Sequence, residues 1–258
     1  MGGRVEGRRI EGGRIEGRRC LVTGAAHGLG RAFCVALARE GGLVAGLDLD
    51  DPAETGAAVE AVGGRFVPVV ADVSSPESVD EALAGLPDRL GGLDILVNNA
   101  GIYPVVPFAE TSYERWRQVL AVNLDGPFLV TRAVLPALLR SGAGRIVNVA
   151  SAVVWLGPPG MVAYTASKSG LIGFTRSLAA ELGPSGVTVN AITPGMIATD
   201  TAVRTGVTAG LDAVVASQAI PRPQQPEDLI SALLFLVDET SGFITGAAVN
   251  VDGGFAKH

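Results

Sequence analysis

From residue 20 onward, apolar residues fall in short, nearly unbroken runs. Between these runs they recur every three or four positions. The runs are CLVTG (20–24), LVAGLDL (43–49), RFVPVVA (65–71), DILVNN (94–99), RIVNVAS (145–151), VTVNAIT (187–193) and AAVNVDG (247–253). Residues that are apolar on consecutive positions fit parallel strands covered on both faces. Helical spacing occupies 29–40, 76–90, 112–140, 161–182 and 226–237, with a break expected near Gly126-Pro127. Strand alternating with helix is the pattern of βαβ units in a doubly wound α/β sheet. No linker interrupts 20–258, so one domain is expected there. The stretch 196–218, rich in Thr, Ala and Val, is too long for a tight connection and predicts an irregular lid.

Composition narrows the function classes. The chain has 258 residues, 48% hydrophobic and 18% charged, with a formal net charge of -6. That charge disfavours a nucleic-acid partner or an anionic membrane surface. No run of about 18 apolar residues marks a membrane span, and the N-terminus lacks the apolar core of a signal peptide. Cys20 and Cys34 lie in apolar stretches and read as two core thiols, which places the protein in the cytoplasm. With two His and two Cys in all, no metal site is expected. Residues 1–19 differ from the rest: Gly-rich, repetitive, with six Arg against three Glu. They read as a flexible basic tail, and IEGR at 15–18 resembles an engineered protease site. A nucleic-acid-binding arm is the sharper alternative for this tail.

Four motifs carry candidate chemistry. TGAAHGLG (23–30) follows the first strand and opens the first helix. Its Gly24, Gly28 and Gly30 allow a tight turn and close approach to a pyrophosphate, with His27 and Leu29 between them; the helix N-terminus offers free N–H groups to the anion. GLDLDD ends the second strand, where Asp48 is placed to accept hydrogen bonds from ribose hydroxyls. Asp50 and Asp51 add negative charge, and no Lys or Arg lies nearby in sequence for a 2′-phosphate, so NAD is expected over NADP. The alternative for Asp50 or Asp51 is helix capping. NNAG (98–101) ends the fourth strand. Its Asn side chains can tie strand ends together, while Ala100 and Gly101 leave room for a cofactor beside Asn99. Finally, Tyr164 and Lys168 in AYTASK stand four residues apart, on one helical face, after Ser151 at the end of the fifth strand.

These motifs together, with the Asn of VNLDG and a later PG, resemble the short-chain dehydrogenase/reductase family in its NAD-preferring form. The resemblance covers essentially all of 20–258. It implies a single Rossmann-type domain with a seven-stranded parallel sheet, helices on both faces, and a homotetramer. Carried over by motif, Tyr164 is the general acid/base and Lys168 favours its phenolate and bonds the nicotinamide ribose. Ser151 donates to the substrate oxygen, and Asn123 holds a water in a proton relay. Asp72 and Val73 flank the adenine. Pro194 and Gly195 lie under the nicotinamide, while Ile197 and Thr199 contact its carboxamide. VDGG (251–254) is a structural signature.

For the substrate, NNAGIYPVVPF, the WLG after Ser151 and IPRPQQPEDL resemble secondary-alcohol dehydrogenases of the 1-phenylethanol type. Tyr103, Val153, Trp155 and Met196 would then form an apolar pocket for an aryl ketone. Packing or a subunit contact is the alternative for Trp155. A 3-oxoacyl thioester reductase ranks second as an activity, and a non-catalytic dinucleotide-binding regulatory module is the alternative of another class.

Overall fold

The computed structural model describes residues 13–197 and 210–257. Seven strands form one sheet in the order β3-β2-β1-β4-β5-β6-β7, and every neighbouring pair is parallel. They are β1 Arg19–Thr23, β2 Leu43–Asp48, β3 Arg65–Val70, β4 Ile95–Asn98, β5 Arg145–Val149, β6 Thr188–Pro194 and β7 Ala248–Val251. The central strands β4, β5 and β6 are buried throughout, as continuous Val/Ile/Leu runs require. Pro68 sits in β3, at the sheet's edge, where a strand can spare an N–H.

Each sheet face has its own core. Helix α1 (Gly28–Arg39), α2 (Ala53–Glu60) and the helix Ile230–Val237 bury Phe33, Leu37, Val59 and Leu233 on one face. On the other, α3 (Pro76–Leu83), α4 (Leu86–Leu90), α6 (Gly126–Ser141) and α8 (Val162–Leu182) bury Val79, Leu86, Leu138 and Leu182. Reversal of strand order between β1 and β4 opens a crevice at the carboxyl ends of the strands.

Three expectations change in detail. The helical stretch 76–90 divides at Gly85, whose φ of +74° ends one helix and starts another. The break expected near Gly126-Pro127 is a wide turn instead: α5 (Tyr113–Leu120) runs through a π-type turn (Ala121–Asp125) into α6. Pro127 has no N–H to give the carbonyl four residues earlier, and Gly126 N–H reaches back five residues to Ala121 O. The whole, Tyr113–Ser141, is long and apolar enough to cross a membrane, yet Val130, Val134 and Leu138 lie in the sheet's core.

The third change concerns the tail. Its described part, 13–19, is built into the fold: Ile15 is 1% exposed in the α1 core, and Arg19 already belongs to β1. Arg18 is buried, its guanidinium donating to Val237 O at 3.2 Å and Ala143 O at 2.5 Å. Neither half of IEGR hangs free. Next to it, Asp94 accepts from Arg19 N at 2.9 Å, Arg19 Nη2 at 2.6 Å and Ser141 Oγ at 2.6 Å.

Burial pushes the Asp94 carboxyl upward, but the bonds from Arg19 and Ser141 outweigh it and hold the group at about 2. A depressed carboxylate stabilises the fold above its unfolded value of 3.8 and loses that contribution as pH falls toward 2. Asp94→Asn therefore lowers the Tm at pH 7, and its Tm falls less steeply than that of the wild type between pH 4 and pH 2. Calorimetry across that window reads both effects.

Candidate active site

The crevice is a cavity of about 770 Å³ that runs from the β1–α1 turn, past the ends of β2, β3 and β4, to β5, α8 and the end of β6. At the turn, glycine is required. Gly24 has a φ of +67°, and a Cβ there would stand 2.8 Å from Ala100 Cα; at Gly30 it would stand 1.9 Å from Gly24 O. His27 precedes α1 without a side-chain hydrogen bond to the helix, and the first turn carries no acidic residue. The N–H groups there keep their positive end of the helix dipole for an anion. This cradle, opening onto the cavity, fits a dinucleotide's pyrophosphate.

At the far end, Asp48 Oδ2 accepts from Ala26 N at 2.8 Å and Oδ1 from Asp50 N at 3.3 Å, so its carboxylate also ties down the loop. Asp50 lies 3.7 Å from His27 Nε2. Neither Asp50 nor Asp51 caps α2: Pro52 holds that position and no side chain bonds the helix start. Arg31 comes near this end, but it donates to Ala26 O at 2.6 Å and Glu54 Oε2 at 2.7 Å. Asp72 accepts from Ser74 N and Oγ, at 2.8 and 2.6 Å, and lines the cavity with Val73.

A buried polar ladder sets the middle. Asn98 Nδ2 donates to Asn148 Oδ1 at 2.8 Å, and Asn148 Nδ2 donates to Thr175 Oγ1 at 2.9 Å. It joins β4, β5 and α8. Asn99 instead serves the glycine turn, donating to Thr23 O at 2.9 Å and Gly24 O at 3.1 Å. The NNAG pair thus divides its work, one residue to strands and one to the loop.

On α8, Tyr164 and Lys168 face the cavity together, with Lys168 Nζ 5.8 Å from the Tyr164 ring centre. Ser151 lines the same wall as Tyr164, and its Oγ accepts from Val153 N at 3.3 Å. Lys168 donates to Val149 O at 2.7 Å. Enclosure pushes Tyr164 up to about 12, against the lowering effect of Ser151, and pulls Lys168 down to about 8. Desolvation, not the lysine charge, governs the tyrosine here. Asn123 stands behind the wall, fully buried, its Oδ1 accepting from Ile102 N at 2.9 Å and its Nδ2 donating to Ser167 Oγ at 3.1 Å. Gly101 separates it from Lys168: a Cβ there would lie 3.2 Å from Asn123 Oδ1 and 3.4 Å from Lys168 Nζ.

The cavity wall includes Gly28, Leu29, Pro194, Gly195 and Ile197 from the cofactor set, and Tyr103, Val153 and Met196 from the substrate set. Thr199 and the middle of the expected lid lie outside the described residues. Trp155 is 37% exposed, and among the described residues Leu156 rather than Trp155 lines the cavity. On the one-turn helix Val153–Leu156 the cavity face takes positions three apart, which leaves 155 off that face. The residues missed in sequence, among them Pro158, Pro159, Met161, Val214 and Phe255, come from loops and helix faces with no motif. The Pro-Pro-Gly after WLG was their only local signal.

Fold and site define a dinucleotide-dependent oxidoreductase of the doubly wound α/β kind. The family model described as Enoyl-(Acyl carrier protein) reductase matches residues 24–256. A 3-oxoacyl-(acyl-carrier-protein) reductase from Synechocystis is 40% identical, over 91% of this chain and 95% of its own. The (2S)-((R)-hydroxy(phenyl)methyl)succinyl-CoA dehydrogenase subunit BbsD of Thauera aromatica is 37% identical, over 92% and 96%. A solved structure from Agrobacterium tumefaciens, described as a candidate 2-deoxy-D-gluconate 3-dehydrogenase with bound NADP, superposes with a TM-score of 0.86 at 36% identity, covering 93% of this chain and 97% of its own. The chain belongs to the short-chain dehydrogenase/reductase family.

Gly24→Ala places a methyl against Ala100 and forces a left-handed backbone on alanine, at a cost of roughly 1–2 kcal/mol before any clash. The expected outcome is a lower Tm and a dinucleotide Kd weaker by at least about tenfold, read by thermal shift and calorimetry.

Proposed function

We propose that the protein is an NAD(H)-dependent oxidoreductase interconverting a secondary alcohol and a ketone with aryl or otherwise apolar substituents. The observation that carries this reading is the cavity wall beside Ser151 and Tyr164. It is made of Ile102, Val153, Leu156, Met161 and Met196, and Lys168 is the only Lys or Arg among the described residues lining the cavity. A charged substrate would leave its hydration there without a partner.

A bound nicotinamide dinucleotide supplies the hydride. In reduction, the Tyr164 hydroxyl gives its proton to the carbonyl oxygen while Ser151 donates a hydrogen bond to it. A tyrosine raised to about 12 is protonated at neutral pH, and giving up that proton requires stabilisation of the phenolate left behind. The protonated Lys168, lowered only to about 8, favours the phenolate that remains. Asn123, its side chain held by Ile102 and Ser167 behind Lys168, is the residue beside which a water returning a proton through Lys168 would have to sit.

Support for NAD(H) is the acidic ribose end, with Asp48 and Asp50 in the wall and Arg31 already engaged. Exposed Phe128, Leu139 and Val162 on α6 and α8 support a homotetramer, and the buried thiols Cys20 and Cys34 support a cytoplasmic setting.

A second reading is reduction of a 3-oxoacyl thioester, favoured by the Synechocystis relative. Acetophenone-type ketones and acetoacetyl thioesters, assayed side by side, separate the two: turnover of the thioester alone overturns the first reading. Tyr164→Phe is expected to lower kcat by at least about 100-fold while leaving NADH binding intact; wild-type turnover in that variant overturns the assignment. For the cofactor, kcat/KM with NADH is expected to exceed that with NADPH by at least about tenfold, since like charges meet at the ribose. A preference for NADPH overturns it.

A further inference from the structure

Phe255 lies in the cavity wall, four residues beyond the end of β7. The turn that carries it is held by one carboxylate. Asp252, 3% exposed, accepts from Gly254 N at 2.9 Å and Phe255 N at 3.2 Å through Oδ1, and from Ala256 N at 2.6 Å through Oδ2. Asn250 Nδ2 donates to Ala256 O at 3.2 Å. Gly253 and Gly254, at φ +66° and +77°, let the chain reverse at positions that other residues resist. Hydrogen bonds from three amides to one ionised group are strong, and they fix the direction of the next side chain.

The same turn anchors a second part of the wall. Gln218 Nε2 donates to Asp252 O at 3.3 Å and Ile220 N to Gly253 O at 2.9 Å. The helix just before, Leu211–Ser217, presents Val214 to the cavity. Nearby, Gln224 Nε2 donates to Val251 O at 2.6 Å, and the backbone of Gln224 bridges Ile197, itself a lining residue. Three stretches of the wall are therefore tied to β7 and the turn after it. A rigid aromatic ring at a position so firmly set limits what can sit beside it, because packed interiors yield little.

We propose that Phe255 is a specificity-determining residue that sets the upper size of the apolar substituent on the ketone, and that Asp252 is the positioning residue that holds it there. This rests on the ketone–alcohol reading. The test compares wild type, Phe255→Ala, Phe255→Leu and Asp252→Asn on acetophenone, propiophenone and 2-acetonaphthone. Two quantities are measured: kcat/KM with NADH, and ketone Kd by calorimetry on enzyme loaded with NAD. Phe255→Ala is expected to raise the naphthyl-to-phenyl ratio of kcat/KM by about tenfold and to lower the naphthyl-to-phenyl ratio of Kd by about tenfold, with NADH affinity unchanged. Phe255→Leu gives an intermediate ratio and guards against loss of fold. Asp252→Asn moves the ratio in the same direction, an effect that mere destabilisation would not produce; an unchanged ratio there removes Asp252 from the proposal. An unchanged ratio in both Phe255 variants, with wild-type turnover intact, overturns the proposal and leaves the ketone reading standing. A wild-type enzyme that neither binds nor turns over any of these ketones overturns both.

Discussion

The buried amide ladder from Asn98 through Asn148 to Thr175 is the constraint on which the site depends. Strands β4 and β5 and helix α8 meet there, and α8 carries both Tyr164 and Lys168. Inside a protein, polar groups left unpaired are costly, so such a network permits one relative placement of its members. Thr175 completes it by donating to Leu171 O one turn back, and Lys168 adds a bond to Val149 O at the end of β5. The helix cannot rotate or slide along the strand without breaking several of these bonds together. A hydroxyl on α8 and a hydroxyl just beyond β5 are in this way kept on one wall of the cavity.

Around that frame, enclosure governs the chemistry. The same apolar wall that would accept an apolar substrate raises Tyr164 and lowers Lys168. Both shifts favour the uncharged forms, as desolvation must. The tyrosine holds its proton more tightly and is a weaker acid, while the lysine comes within range of neutral pH. At the other end of the crevice the logic reverses. There the carboxylates of Asp48 and Asp72 are partly exposed and bonded to backbone or serine donors, and they shape the loops around the crevice.

Much of this was legible in the chain. Strands such as ILVN and RIVNV are apolar on every position because both faces are covered, and that pattern survives without any knowledge of neighbours. The glycine turn was legible because only glycine meets its backbone demands. Tyr164 and Lys168 were legible because helical spacing is a local rule. Residues 13–19 were misjudged for the opposite reason. Their glycines and arginines look like a solvated tail, and nothing local shows that Ile15 enters the α1 core or that Arg18 finds carbonyls on two distant segments.

By itself, then, the sequence determined the α/β pattern, the glycine turn and the shared helical face of Tyr164 and Lys168, since each rests on local periodicity or on a residue's own conformational limits. Only the tertiary structure decided the walls of the pocket. Leu156 and Met161, Val214, and Phe255 come from three separate stretches, and what brings them together is burial and long-range hydrogen bonding, such as Gln218 to Asp252, that no short window of sequence contains.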